Sequence, residues 1–534
     1  MLTRRPKYFR LTELRARTAD TWFVYSRFDQ GLDPPPEYLG QETCFMRRLV
    51  LVAAAIFLIS STTAAHARPN IVYFLVDNLG IGEISSFAGG PLRGVETKRI
   101  DDFAAEGIRL LNFAPETQCT PSRSALMTGR YSIRSGTHTV ALAGDDSGLV
   151  AWERTIADIL SDAGYATSIV GKWHIGASDG RWPTDHGFDE WIGIPHSYDE
   201  ALWDDDPWYD KTRDPVAHVL QSQKGGDVEE LRQLTVDVKV DIDVEYMARS
   251  KAFIQKSIAD NKSFFLYFNH SLMHLPVKPR EEFVGHSGHG PWADSLAQLD
   301  ADFGELLDFL EENGLTNNTI VVFSGDNGPE EQQGERGHGG YWQGSYFTGM
   351  EGSLRTPAAI RYPTVVPAGQ VSDQVVHITD MFTTLVRWAG EDIPKDREID
   401  GRDQRAFFRG LVPKSARNGF PYWMGERMYG VKWQNFKVVS VLQKTLTDPA
   451  QQLATPYVIN LDADPQERGP YNYPHVHSWV IAHTSKIIAD FQESLQREPP
   501  IPAGAPLEFV PTLAKQPDVR TGKISDSGAQ DKSH

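Results

Sequence analysis

Between residues 70 and 390, short continuous apolar runs alternate with stretches of helical period. Residues 71–76, 264–268, 319–323 and a run ending at Val170 are apolar at nearly every position. Such runs predict strands covered on both faces rather than on one. Between them, residues 155–165 read as a helix stopped near Gly164, and Leu296, Leu299, Phe303, Leu306, Leu307 and Leu310 keep a helical spacing closed by Asn313-Gly314. A further apolar helix follows Asp380 and ends near Ala389-Gly390. Strands alternating with helices predict an α/β fold: a large mixed, mainly parallel sheet with helices on both faces, spanning 68–420. After about Gly419 the runs shorten. Residues 431–439 and 457–461 predict a small antiparallel sheet, and 478–495 a helix, giving a smaller C-terminal α+β subdomain over 421–498. The Pro-rich remainder, 499–534, reads as an extended wrap or a disordered tail.

The N-terminus has a different pattern. Met46-Arg47-Arg48 precedes an apolar stretch, 49–59, and then small and polar residues ending Ala65-His66-Ala67. A basic start, a short apolar run and a small-residue cleavage site make a secretory signal peptide, and the run is too short for a stable membrane span. Met46 thus reads as the translation start and 1–67 as an upstream extension plus signal peptide, so the mature protein is expected to be periplasmic or secreted. Of the 2 cysteines, Cys44 leaves with this segment and Cys119 remains alone. A lone thiol cannot pair internally in an oxidising compartment, so it is either a buried hydrophobe or a functional group.

The chain has 534 residues, with 53 Lys+Arg against 71 Asp+Glu and a net charge of −18. That balance excludes a sequence-independent nucleic-acid binder and makes any anionic substrate depend on a local positive site.

Polar residues follow each of the four apolar runs: Asp77-Asn78, Lys172 with His174, His270 with His274, and Asp326-Asn327. In an open parallel sheet the site lies at the carboxyl ends of the strands, so the four clusters are expected to converge. Asp77, Asn78, Asp326 and Asn327 offer only oxygen ligands, a set for a hard divalent cation, calcium or else magnesium. Each Asp-Asn pair also precedes a glycine and suits a turn cap. Around Cys119 the sequence Cys119-Thr120-Pro121-Ser122-Arg123, then Leu126-Met127-Thr128-Gly129-Arg130, predicts a short helix whose free N–H groups and Arg123 favour an anion.

This Cys-Thr-Pro-Ser-Arg segment with its Leu-Met-Thr-Gly-Arg continuation resembles the signature of the type I, formylglycine-dependent sulfatases, arylsulfatase-like members of the alkaline phosphatase superfamily. Arg68-Pro69-Asn70 with Asp77-Asn78-Leu79-Gly80, Gly171-Lys172-Trp173-His174, His274-Leu275-Pro276, Ser324-Gly325-Asp326-Asn327-Gly328 and Glu351-Gly352-Ser353-Leu354-Arg355 resemble further motifs of that family. The resemblance implies that a maturation enzyme oxidises Cys119 to formylglycine, whose hydrate is the nucleophile toward a small sulfated substrate. One hydroxyl, activated by the cation and Asp326, attacks sulfur; Arg123, Lys172 and the metal hold the sulfate oxygens. His274 protonates the leaving alcohol, and His174 deprotonates the second hydroxyl, expelling sulfate and regenerating the aldehyde.

The chain leaves the family pattern twice. Asn78 stands where a second carboxylate is common, which removes one charge from the cation site. Tyr346 stands where a second lysine is usual, so a neutral donor replaces a cation at the substrate unless Lys432 or Arg336 substitutes. His270 carries no motif and reads as structural. Residues 180–214 hold Trp182, Trp191, Trp203 and Trp208 with Asp204-Asp205-Asp206, either a pocket rim for a ring or a surface insertion anchored by aromatics. The acidic run disfavours heavily sulfated polymers. A phosphate or phosphonate ester hydrolase on the same site, or a sulfated-ligand binder without catalysis, are the alternative functions.

Overall fold

The computed structural model describes residues 68–331, 337–469 and 476–512. The signal-peptide expectation and Arg336 lie outside them. Among the described residues no helix is long and apolar enough to cross a membrane.

The main sheet has 11 strands. At its centre, β1 (Asn70–Val76) has every residue buried. It lies between β7 (Phe264–His270) and β8 (Thr319–Gly325), parallel to both. On the far side of β7 come β3 (Ala166–Val170) and β4 (Glu190–Gly193), again parallel. Antiparallel strands close both flanks: β5 (His218–Gln223) and β6 (Glu229–Gln233) beyond β4, and β9 (Thr356–Arg361) beyond β8, followed by β2 (Ile108–Ala114). Two short strands, β10 (Gln370–Ser372) and β11 (Val376–His377), pair with β2.

The side-chain alternation of β1 divides the core between the two faces. Ile71, Tyr73 and Leu75 pack in one cluster with the helices α1 (Cys119–Thr128), α2 (Ile156–Asp162) and α5 (Ile378–Trp388). Val72, Phe74 and Val76 pack in the other with α3 (Val236–Ala259) and α4 (Pro291–Glu312). A strand with both faces covered can afford no polar position, which is why its run is continuous.

Local signals set the helix ends. Thr155 caps α2, accepting from the Asp158 N–H at 3.1 Å. The helix expected to follow Asp380 starts at Ile378, two residues before Asp380: His377 is the cap, and Asp380 accepts from the His377 N–H at 3.0 Å as the far half of a capping box.

The run 431–439 is two strands rather than one. β13 (Arg427–Trp433) and β14 (Phe436–Leu442) flank a turn in which Gln434 has φ 52°. With β12 (Gly419–Met424) and β15 (Gln451–Asn460) they form an antiparallel sheet of 4 strands against which α6 (Ser478–Arg497) packs. Buried ion pairs join this sheet to Glu351: Lys432 lies 2.7 Å from Glu351, and Lys437 2.6 Å from Glu467, which accepts from the Glu351 N–H. Beyond α6, the chain to residue 512 makes two turns against the main body, with the Ile501 N–H on the Arg134 carbonyl at 2.8 Å and the Leu507 carbonyl accepting from Ala151 at 2.9 Å.

Candidate active site

The carboxyl ends of the adjacent strands β3, β7, β1 and β8 bring Asp77-Asn78, Lys172 with His174, His274 and Asp326-Asn327 to one place, without His270. Backbone bonds fix the turns: the Met273 N–H donates to the Asp77 carbonyl at 3.0 Å, and the Asp326 N–H to that of Val76 at 3.1 Å. Two site residues take the left-handed backbone that non-glycine residues avoid, Asn78 at φ 54° and His174 at φ 64°. Gly171, at φ 93°, precedes Lys172 where a Cβ would meet the Asn269 carbonyl oxygen at 2.1 Å, so only glycine fits that turn.

Helix α1 brings Cys119 into this cluster at its first turn. The helix is buried throughout and ends on Gly129 in the left-handed conformation, where a Cβ would meet the Phe382 ring at 2.4 Å. The Cys119 thiol points at Asp77 Oδ1, 3.4 Å away, and lies 4.0 Å from Asn78 Oδ1. Burial, reinforced by the Asp77 charge, pushes this thiol well above its ordinary range. As a plain cysteine it is therefore a poor nucleophile.

One turn into the helix, Arg123 spans both carboxylates. Its Nε donates to Asp326 at 3.0 Å and Nη2 to Asp77 at 3.1 Å, while Nη1 takes the Lys172 carbonyl at 2.7 Å and Asn269 Oδ1 at 2.8 Å. Lys172 Nζ lies 2.7 Å from Asp77. Burial opposes charge on Asp77, but Lys172, His274 and Arg123 outweigh it and hold the carboxyl far below the usual range. Asp326 goes the other way: burial and the Asp77 charge lift it to about 6.

Asn78 and Asn327 complete the oxygen set. The Asn327 amide donates to Asn78 Oδ1 at 2.6 Å, and its own Oδ1 is buried with no hydrogen-bond partner among the described residues. An orphaned buried oxygen beside two buried carboxylates fits a hard cation, and the four residues suit calcium or magnesium better than zinc. Asp77, Cys119 and His274 also present potential ligand atoms within 4.8 Å of one another.

The two histidines differ in tautomer. His174 Nε2 faces the Ala141 carbonyl at 2.9 Å, and a carbonyl only accepts, so this nitrogen carries the proton. Its Nδ1 then presents a lone pair that is buried and unpartnered among the described residues. Burial, then the Lys172 charge, drives His174 well below its ordinary range and keeps it neutral. His274 has the opposite arrangement: Nδ1 donates to the Leu275 carbonyl at 3.0 Å, and Nε2 meets Ser197 Oγ at 3.1 Å. Ser197 lies 3.4 Å from Lys172 Nζ as well and so joins the two groups.

Cys119, His174, Ser197 and His274 line a cavity of about 430 Å³ with Tyr346, Glu330, Leu142, Trp203 and Leu275 on its walls. Tyr346 is buried on the cavity wall. Lys432 is no substitute for the missing lysine, because it is spent on Glu351 and Asn112 away from the cavity. Of the four tryptophans, Trp203 alone reaches the cavity. Trp182 stacks on the buried Trp191 at 5.9 Å, and Trp208 is 87% exposed. His270 is a core residue whose Nε2 lies 3.0 Å from Asp302. Ser197 and Glu330 stand in the site without any motif to announce them.

Residues 69–391 match the family model described as Sulfatase. The chain belongs to the sulfatase family. This sulfatase is 30% identical over 490 residues to N-acetylgalactosamine-6-sulfatase of Mus musculus, covering 84% of this chain and 90% of that one. It is 32% identical over 436 residues to arylsulfatase A of Bos taurus, covering 76% and 83%. Among solved structures, a PsFucS1 sulfatase from Pseudoalteromonas sp. superposes with a TM-score of 0.76 at 28% identity, covering 88% of this chain and 96% of that one. The fold and these relatives make the chain a type I sulfatase of the alkaline phosphatase superfamily, an enzyme of sulfate ester hydrolysis.

Proposed function

We propose that this sulfatase is an exported hydrolase of compact sulfate monoesters, aryl or small carbohydrate, working through formylglycine made from Cys119 by a maturation enzyme. The observation that carries the reading is the setting of Cys119. Its thiol is buried and resists ionisation, yet Cys119 lines a cavity with His174 and His274, and its thiol faces Asp77, the carboxylate that Arg123 and Lys172 both hold. The hydrate of formylglycine would supply a hydroxyl nucleophile where the thiol supplies none. A calcium or magnesium ion on Asp77, Asn78, Asp326 and Asn327 would supply a fixed positive charge against the sulfate oxygens.

The chain's own residues account for the rest. Arg123 and Lys172 are held in place by Asp77 and Asp326 before substrate arrives, so they stabilise developing charge without rearranging. His174 presents its Nδ1 lone pair as a base. His274, oriented from one side by the Leu275 carbonyl and from the other by Ser197, would as the imidazolium give its Nε2 proton to the departing oxygen and return to the Nδ1–H tautomer. Tyr346 adds a neutral wall where a second lysine would bring charge.

The cavity sets the size and polarity of the leaving group. Leu142, Trp203 and Leu275 offer apolar surface for one ring, and Glu200 is pushed up to about 8 by burial and by the charge of Asp199. A neutral Glu200 can donate to a hydroxyl, while the Asp199 carboxylate repels a second sulfate. The relatives, an N-acetylgalactosamine-6-sulfatase and an arylsulfatase, support a ring-borne ester. Residues 46–67 support export.

Activity on an aryl sulfate should disappear on chelation and return with calcium or magnesium more fully than with zinc. The matched aryl phosphate should turn over more slowly. Activity that survives complete chelation, or a preference for the phosphate, overturns the reading.

A further inference from the structure

Asn78 is the weak member of the oxygen set. An amide has an oxygen and a nitrogen of nearly equal size, and it serves a cation only with the oxygen turned inward. In this structure the oxygen is inward, toward Cys119 and Asn327, and the nitrogen is turned away onto Glu330: Asn78 Nδ2 donates to Glu330 Oε2 at 2.9 Å. Glu330 is 1% exposed, and its other oxygen accepts from the Glu331 N–H at 3.0 Å. Two accepting oxygens are what an ionised carboxyl offers.

Charge points to the same residue. Asp77 and Asp326 are opposed by the two cations that touch them, Arg123 and Lys172, so this core sums to zero. A neutral cluster has little attraction for a divalent ion. Glu330 brings a further carboxyl directly against the Asn78 amide.

We propose that Glu330 is the positioning residue of the cation site: it holds the Asn78 carbonyl oxygen toward the ion and supplies the negative charge that an amide at position 78 does not. The proposal rests on the cation reading given above and goes beyond it in assigning a residue outside the four ligands. It also has a consequence for Asn78 itself. An aspartate at 78 would set two carboxylates against each other across the 2.9 Å now bridged by the amide. Asn78 and Glu330 therefore work as a pair, and either change alone is unfavourable.

The test is a calorimetric titration of the full mature chain with calcium chloride, and in parallel magnesium chloride, with thermal unfolding in chelator to show that each variant folds. Glu330→Gln keeps an acceptor for the Asn78 amide and removes the charge, so calcium affinity should fall about tenfold or more. Glu330→Ala loses both and should fall further. Asn78→Asp should bind no tighter than wild type, whereas Asn78→Asp with Glu330→Gln should recover wild-type affinity or exceed it. Equal affinity of Glu330→Gln and wild type overturns the proposal, as does an Asn78→Asp effect that is the same with either residue at 330. Wild-type protein that binds neither ion overturns the cation reading and this proposal together.

Discussion

Cys119→Ala abolishes turnover and leaves the protein folded. The side chain is 3% exposed and fills little space, so its loss costs about 1 kcal/mol of stability. Catalysis loses its nucleophile, and removal of a nucleophile from a site whose parts act as a unit lowers kcat by on the order of 10⁴-fold or more. Arg123, Lys172 and both histidines remain, held by one another and by Asp77 and Asp326 rather than by the cysteine. Substrate affinity should accordingly change much less than kcat. Steady-state kinetics on an aryl sulfate and a melting curve check both halves. Residual turnover within tenfold of wild type would show that Cys119 lies beside the chemistry rather than at its centre.

Arg123→Gln has the largest expected effect on stability. The guanidinium bridges two fully buried carboxylates and also satisfies the Lys172 carbonyl and Asn269. Breaking a buried pair by removing one partner leaves uncompensated charge, at a cost of about 3–5 kcal/mol. A glutamine can replace one of the four bonds and none of the charge. Since burial and then the Asp77 charge already lift Asp326 to about 6, the carboxylates repel each other more strongly once Arg123 is gone. The melting temperature should drop markedly in chelator, and added calcium should restore part of it by compensating the same two carboxylates. A variant that melts like wild type in chelator would show that Arg123 does not hold the site together.

Much of this site is legible in the sequence because its parts lie at strand ends. Asp77, Lys172, His274 and Asp326 each follow a continuous apolar run, and the parallel sheet brings such positions to one edge whatever the loops do. Cys119 and Arg123 stand out because they are one helical turn apart at a helix start. Ser197 and Glu330 give no such signal. Ser197 lies in a segment after β4 whose path depends on tertiary packing, and Glu330 matters only through the conformation that turns it back onto Asn78. An aspartate at 78 looks from sequence like a simple gain of ligand charge. With Glu330 positioning Asn78 as proposed above, no such gain is expected, because Glu330 stands 2.9 Å from the Asn78 amide.

The fold shows a similar limit. Helix α3 opens with Val236, Val238, Val240, Ile242 and Val244 alternating with charged residues, a pattern of period two that belongs to strands. Thr235 caps it nonetheless, accepting from the Val238 N–H at 3.2 Å, and the buried positions Ile242, Tyr246, Phe253 and Ile254 follow helical spacing against the sheet. Tertiary packing decides where the local pattern points the other way. The turn at Gln434 is hidden for the opposite reason: neither glycine nor proline marks it, so β13 and β14 read as one strand.

The central claim is that Cys119 acts as formylglycine, and the mass of one peptide tests it most directly. Trypsin releases residues 110–123, bounded by Arg109 and Arg123, from protein made in a host able to mature it. The account predicts a peptide lighter than the cysteine form, with one oxygen in place of sulfur and two hydrogens, and its fraction should track specific activity from one preparation to the next. A fully active preparation in which that peptide carries only the unmodified thiol would contradict it.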